Sequence, residues 1–423
     1  MRQFSLLFLL TFFALPSVLG LQHADAQPTV QPNVQPMVQA DLTSIKLPAG
    51  FKIEIYANAH SKGGEFLSGA RFMAFDAVGN LYVSSARNNK ILMLPDRNND
   101  GIADEVLVLA DGLNAPQGLV FMGDALLVAN QNGVVKLQKN TGLSTNDGLP
   151  VNITPFINDL PAGGHTLKNI KLSPDGYLYI NVGSSCNVCL EADARRASML
   201  RYTVQGQPAG ALLSLGRHRQ SAIWAQGLRN SQGFAWQPQT GAMYATNDGA
   251  DMRSESKGGM VNDELPPENL NKIEAGKHYG WPHCWADASQ LNGMMADPNF
   301  PATADFCKAT QAPEITFISH STPIGITFLN KTNWPADYQQ DAIVALHGSW
   351  NRKQPSGYKL VRVRFKAGKP STIEDFATGW LQDDQAWGRP VDVIVGAGQA
   401  LYVSDDKTGS IYRIRHVKSL ERK

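Results

Sequence analysis

Charge is scarce in this sequence. Asp, Glu, Lys and Arg make up 18% of it, below the usual quarter, and the formal net charge is +1. No basic run with interleaved aromatics occurs, so neither nucleic acid nor an anionic membrane is indicated as a partner. Cysteine is equally sparse, with 4 in 423 residues, which excludes a disulfide-dense scaffold. The single CxxC, Cys186-Asn187-Val188-Cys189, has no second pair to make a zinc ribbon. Leu190 rather than His follows it, so it is no haem-attachment motif. Amphipathic helices between the strand-like segments are missing too, which argues against βαβ units.

The N-terminus carries the one strong targeting signal. Arg2 precedes the apolar run Leu6–Leu15, and Ala24-Asp25-Ala26 forms a small-x-small site before Gln27. That run is shorter than the ~20 residues a membrane span needs. Residues 1–26 therefore read as a signal peptide, giving an exported chain, periplasmic or secreted, with no membrane span in its mature form. The four cysteines suit an oxidising compartment, and the expected pairs are Cys186–Cys189 and Cys284–Cys307. A redox-active thiol pair at Cys186 and Cys189 stays open, because connectivity does not follow from sequence.

What is abundant is turn chemistry: 38 Gly and 24 Pro. Residues 27–44 repeat Pro-x-Val-Gln and read as a disordered leader ahead of a folded domain at 45–423. In that domain one unit recurs: an Asp/Asn/Gly turn, an alternating apolar strand, a polar loop and a second strand. Asp76–Val83 leads to Lys90–Leu94, and the last copy, Ala397–Val403, leads to Ser410–Ile414. Six copies fit between Asp76 and Ile414 at about 56 residues each, in the range of propeller repeats. A β-sandwich would be spaced more tightly. The fold class expected is all-β, a six-bladed β-propeller.

Loops before the copies carry the candidate chemistry. Gly163-Gly164-His165 sets a titratable ring after two glycines, where backbone can come close to a ligand. Gln117, Arg229-Asn230 and Arg389 take analogous places before other copies, and an arginine fork suits a carboxylate. Convergence of such loops suggests a pocket for a polyanionic small molecule. A second cluster includes Asp248, Asp251, Asp263, Glu264 and Glu268, ending in Tyr279-Gly280-Trp281-Pro282. Dense oxygen donors in a Gly/Pro loop suit Ca²⁺, although the EF-hand spacing is absent.

In their joint order these motifs resemble the soluble pyrroloquinoline-quinone-dependent sugar dehydrogenases, nearest the L-sorbosone or aldose type. Val182–Cys189 and His347-Gly348-Ser349-Trp350-Asn351-Arg352 agree with that branch, and the likeness spans roughly Leu47 to Ile414. The resemblance implies His165 as general base with Gln117 beside it. It implies cofactor contacts from Arg229, Asn230 and Arg389, and a Ca²⁺ held by the loop near Asp263 and Glu264. It also implies a sugar or aldehyde substrate and an external electron acceptor. Two departures stand out. Glucose-oxidising members carry a second arginine where this chain has Val391, and a lysine where it has His347, with Arg352 nearby as another cation. A metal-dependent propeller lactonase and a non-enzymatic binding propeller are the rival readings.

Overall fold

The structure is a computed structural model that describes residues 38–139, 151–212, 220–287, 293–300 and 304–417. The expected signal peptide, and the leader as far as residue 37, lie outside the described residues. Six four-stranded antiparallel sheets follow one another along the chain and form a six-bladed β-propeller. The recurring unit of the sequence is the middle pair of each blade. Leu81–Ser85 with Lys90–Leu94 is one example, and Leu401–Asp405 with Ser410–His416 is another. These strands alternate or run wholly apolar because blade faces pack on both neighbours. Leu81, Val83, Leu92, Val403 and Ile414 are all fully buried, and each such side chain contributes about 1.5–3 kcal/mol against the cost of ordering it.

Closure is made between the two ends of the domain. Phe51–Ala57 pairs antiparallel with Ser410–His416, from Phe51 opposite His416 to Ala57 opposite Ile411, and completes the sixth sheet. Residues just ahead of it are seated as well. Lys46 exchanges two backbone hydrogen bonds with Thr378, and Leu42 and Ile45 pack on the Trp380 cluster. The fourth blade carries the long insertion. Between Glu268–Ile273 and Ile315–Phe317 come the hairpin Cys284–Ala286/Met294–Ala296 and the α-helix Ala304–Ala309. The disulfide Cys284–Cys307 ties hairpin to helix, and Cys186–Cys189 closes the other loop, both as expected.

The first strand of each blade is the innermost. Pro390–Val395 contacts both Ala70–Phe75 and Pro323–Phe328 around the axis. In a blade of four antiparallel strands, the loop into the first strand and the loop between second and third open on the same face. That connectivity decides where the chemistry collects.

Candidate active site

Loops of this one face enclose a cavity of about 240 Å³. His165, Arg229, Asn230 and His347 line it, and so do Arg71, Gln232, Asp248, Asp251, Glu268, His320, Trp350 and Asn351. A larger cavity of about 710 Å³ lies at turns such as Pro174-Asp175 and Thr240-Gly241, on the opposite face. It contains Trp224 and Trp236, with Asp175, Lys272 and Glu274 but no histidine, so the histidines His165, His320 and His347 belong to the smaller one.

His165 is set by backbone contacts that require glycine at two places. Gly164 has φ of 63°, and a Cβ there would fall 2.5 Å from Ser184 O; a Cβ on Gly183 would strike the His165 Cβ. The His165 amide donates to Ser184 O at 2.9 Å, and its ring Nδ1 lies 2.8 Å from Ser184 Oγ. Burial, then the nearby Arg229 charge, pushes the His165 imidazole down to about 4. It is therefore neutral at pH 7, as a base must be.

Two charged clusters flank this base. In the first, Arg229 donates through Nη2 to Asp251 Oδ2 at 2.7 Å, and Asn351 donates to Asp251 Oδ1 at 2.8 Å. Burial opposes ionisation of Asp251, but His320 and Arg229 outweigh it and keep the carboxyl below its usual range. In the second, Asp406 accepts from Arg71 Nη1 at 2.9 Å, from Arg389 Nε at 3.0 Å, and faces His347 Nε2 at 3.1 Å. Arg71 also donates to Gln117 at 3.1 Å and to Gln232 at 3.1 Å. Gln117 thus sits behind Arg71, buried, rather than on the cavity wall. Arg389 touches the cluster through Asp406 and does not line the cavity.

Asp263, Glu264 and Arg352 are brought together, but outside the cavity. Arg352 donates to Asp263 O at 3.1 Å and pairs with the exposed Glu264 carboxylate. Of the carboxylates inside, Asp251 is paired with Arg229, whereas Asp248 and Glu268 form no ion pair among the described residues. Burial raises the Asp248 carboxyl to about 7, and burial, then the neighbouring Asp248 charge, raises Glu268 as well. Asn230 donates to Asp248 Oδ2 at 2.8 Å, while Asp248 Oδ1 and Asn230 Oδ1 are buried without a partner. Orphaned acceptors beside two buried carboxyl groups form a donor set suited to a hard cation.

Several of these residues were not singled out from sequence. Arg71 enters from the first blade inside the apolar strand Ala70–Phe75, which does not read as a ligand loop although Gly69 precedes it. Asp406 follows a strand end like many acidic turn residues. Val391, where the resemblance expects a second arginine, is fully buried with Phe72 and Ile324. The guanidinium in that region comes from Arg71 instead.

Known proteins can be set beside this geometry. A sequence model of the family described as TrAA12-like matches residues 64–417. The chain is 26% identical to an uncharacterized protein of Borreliella burgdorferi over 392 residues, covering 89% of this chain and 92% of that protein. It is 25% identical over 282 residues to a pyrroloquinoline quinone-dependent pyranose dehydrogenase of Coprinopsis cinerea, covering 56% of this chain but 37% of that longer protein. The solved quinone domain of a Coprinopsis cinerea pyranose dehydrogenase superposes with a TM-score of 0.72 at 19% identity, covering 88% of this chain and 97% of that one. The Trichoderma reesei Family AA12 structure gives 0.72 at 21% identity, with the same coverages. The motif order and the fold thus lead to one group, the soluble quinone-dependent sugar dehydrogenases. With nearly the whole propeller matched, the chain belongs to the TrAA12-like family.

Proposed function

We propose that the protein is an exported, Ca²⁺- and pyrroloquinoline-quinone-dependent dehydrogenase that oxidises an aldose or sugar aldehyde to its lactone or acid. The observation that carries this is a neutral, half-buried His165 in the same small cavity as Arg71 and Arg229. A neutral base among fixed cations suits removal of a hydroxyl proton beside a polyanionic acceptor. When bound, the quinone supplies a hydride acceptor and the cation withdraws electron density from it.

Each residue then has a task. His165 Nε2 takes the proton from the anomeric hydroxyl as the C–H hydride leaves. Arg229, Asn230, Arg71 and His347 would hold the cofactor, and Arg389 would act on it across Asp406. Asp248 and Glu268, inside the cavity, are the residues that would hold Ca²⁺, helped by the Asn230 carbonyl oxygen. This replaces Asp263 and Glu264, whose oxygens are engaged with Arg352. Trp350, 72% exposed at the cavity mouth, offers a flat face to a pyranose ring. Electrons leave to an external acceptor.

Asp248 and Glu268 also favour a second reading, a metal-dependent lactonase. One experiment separates the two. Purified protein is loaded with Ca²⁺ and titrated with quinone, while dye reduction is followed with a panel of aldoses and lactone opening is followed in parallel. Dye reduction that depends on both additions supports the dehydrogenase. Lactone opening without quinone, and no dye reduction on any sugar, would overturn it.

A further inference from the structure

The His165 ring is held from one side only. Nδ1 lies 2.8 Å from Ser184 Oγ, and Nε2 makes no hydrogen bond among the described residues. Ser184 has a single hydroxyl proton, and the Cys186 carbonyl oxygen lies 2.6 Å from Oγ in donor geometry. With that proton given to Cys186, the hydroxyl oxygen can only accept from the ring. Nδ1 then carries the imidazole proton, and Nε2 keeps its lone pair. The opposite arrangement, Ser184 donating to Nδ1, would face two oxygens at 2.6 Å with no proton between them.

The Cys186 carbonyl is itself fixed. The Cys186–Cys189 disulfide closes a loop of sequence separation 3. Between the two cysteines, Asn187 accepts from Arg229 Nε at 3.1 Å and from Arg229 Nη2 at 3.0 Å. It also accepts from Trp281 Nε1 at 2.9 Å and from the Asp251 amide at 2.8 Å, and donates to Asp251 O at 2.9 Å. Ser184 is completely buried, and its amide donates to Arg229 O at 2.8 Å. The loop thus connects the arginine of the cavity to the partner of the base.

We infer that the Cys186–Cys189 loop is the positioning element of the base: through Cys186 and Ser184 it fixes His165 with Nδ1 protonated, so that Nε2 is the proton acceptor. Ser184 is a positioning residue and touches no substrate. The inference rests on His165 being the base, but its first test does not depend on activity. Long-range ¹H–¹⁵N correlation spectra of histidine-labelled protein at neutral pH report the tautomer directly, with His165 assigned from its absence in His165→Ala. The Nδ1–H pattern is expected in the wild type. An Nε2–H pattern would overturn the inference whatever the enzyme does. An Nδ1–H pattern in a protein inactive on every sugar would uphold the tautomer and sink the dehydrogenase reading instead.

Variants then test the relay. Ser184→Ala leaves Nδ1–H without an acceptor, so mixed tautomers are expected. The kcat should fall roughly 10–10²-fold, with quinone affinity changed less than about twofold because the Arg229 side-chain contacts stay. The double variant C186S/C189S, which keeps the carbonyl but frees the loop, should mix the tautomers in the same way. Wild-type spectra and kcat in both variants would overturn the loop's role, and a loss confined to quinone affinity would do so too.

Discussion

Asp406 is the group on which the positive half of the cavity depends, and replacing it tests the electrostatic argument most directly. Its side chain is 8% exposed, and that of its partner Arg71 is 10% exposed. Burial alone would push the carboxyl up, yet His347, Arg71 and Arg389 hold it well below the usual carboxylate range. Asp406→Asn keeps the shape and removes the charge. Arg71 and Arg389 then face each other and His347 across a neutral amide. Breaking one side of a buried charge pair costs about 3–5 kcal/mol, most of it from the uncompensated partner. At about 2.1 cal/mol/K of unfolding entropy per residue, a propeller of roughly 380 residues should lose about 4–6 °C in Tm.

The pH dependence of this effect has a definite sign. The folded-state pKa of Asp406 lies below its unfolded value, so its stabilisation is complete above about pH 4 and lost as pH falls further. The gap between wild type and Asp406→Asn should therefore be flat from pH 5 to 8 and narrow below pH 4. Scanning calorimetry of the quinone-free proteins across that range is the assay. A variant as stable as wild type between pH 5 and 8 would refute the reasoning, since the arginines would then be neutralised by something else.

Three further outcomes follow from the cavity. His165→Ala should cut dye-linked sugar oxidation roughly 10²–10⁴-fold with quinone titration nearly unchanged; a loss of binding instead would move His165 into the cofactor set. Because burial and Arg229 lower the His165 pKa to about 4, the acid limb of kcat/KM should fall below the 6.5 of an ordinary histidine, and a limb above it would contradict the site geometry. Asp248, raised to about 7, and Glu268 must both give up protons to a cation, so Ca²⁺ should raise Tm more at pH 7.5 than at pH 5, and chelation should reverse it.

The frame was legible because it repeats. A blade's middle strands are buried on both faces and end in Asp, Asn or Gly turns, so periodicity and punctuation mark the same units. The innermost strands were harder to find, since Ile170–Leu172 and Phe234–Trp236 are only 3 residues each. Site residues flanked by glycine, such as His165 and Arg229, were visible because close backbone approach leaves that mark. Arg71 and Asp406 were not, because their partners lie 335 residues apart in the chain and no local pattern links them. Asp263 and Glu264 mislead for a related reason. Composition marks the whole acidic loop, whereas Asp248, Asp251 and Glu268 reach the cavity and Asp263 and Glu264 do not line it.

Arg71 also resolves the absence of arginine at Val391. Val391 is fully buried, and Phe72 and Ile324, which pack on it, are 2% and 1% exposed. A guanidinium placed there would displace that apolar contact beside Arg71. Val391→Arg should therefore cost several kcal/mol and raise no quinone affinity. Arg71 is the side chain to vary. Lysine keeps the charge but cannot engage Gln117, Gln232 and Asp406 at once, so Arg71→Lys should fold and bind quinone about tenfold more weakly. Quinone titration followed by tryptophan fluorescence measures this without turnover. The decisive comparison is the double variant Arg71→Leu/Val391→Arg: if it folds and binds quinone as wild type does, the two positions are interchangeable and the cavity does not draw its cation from the first blade.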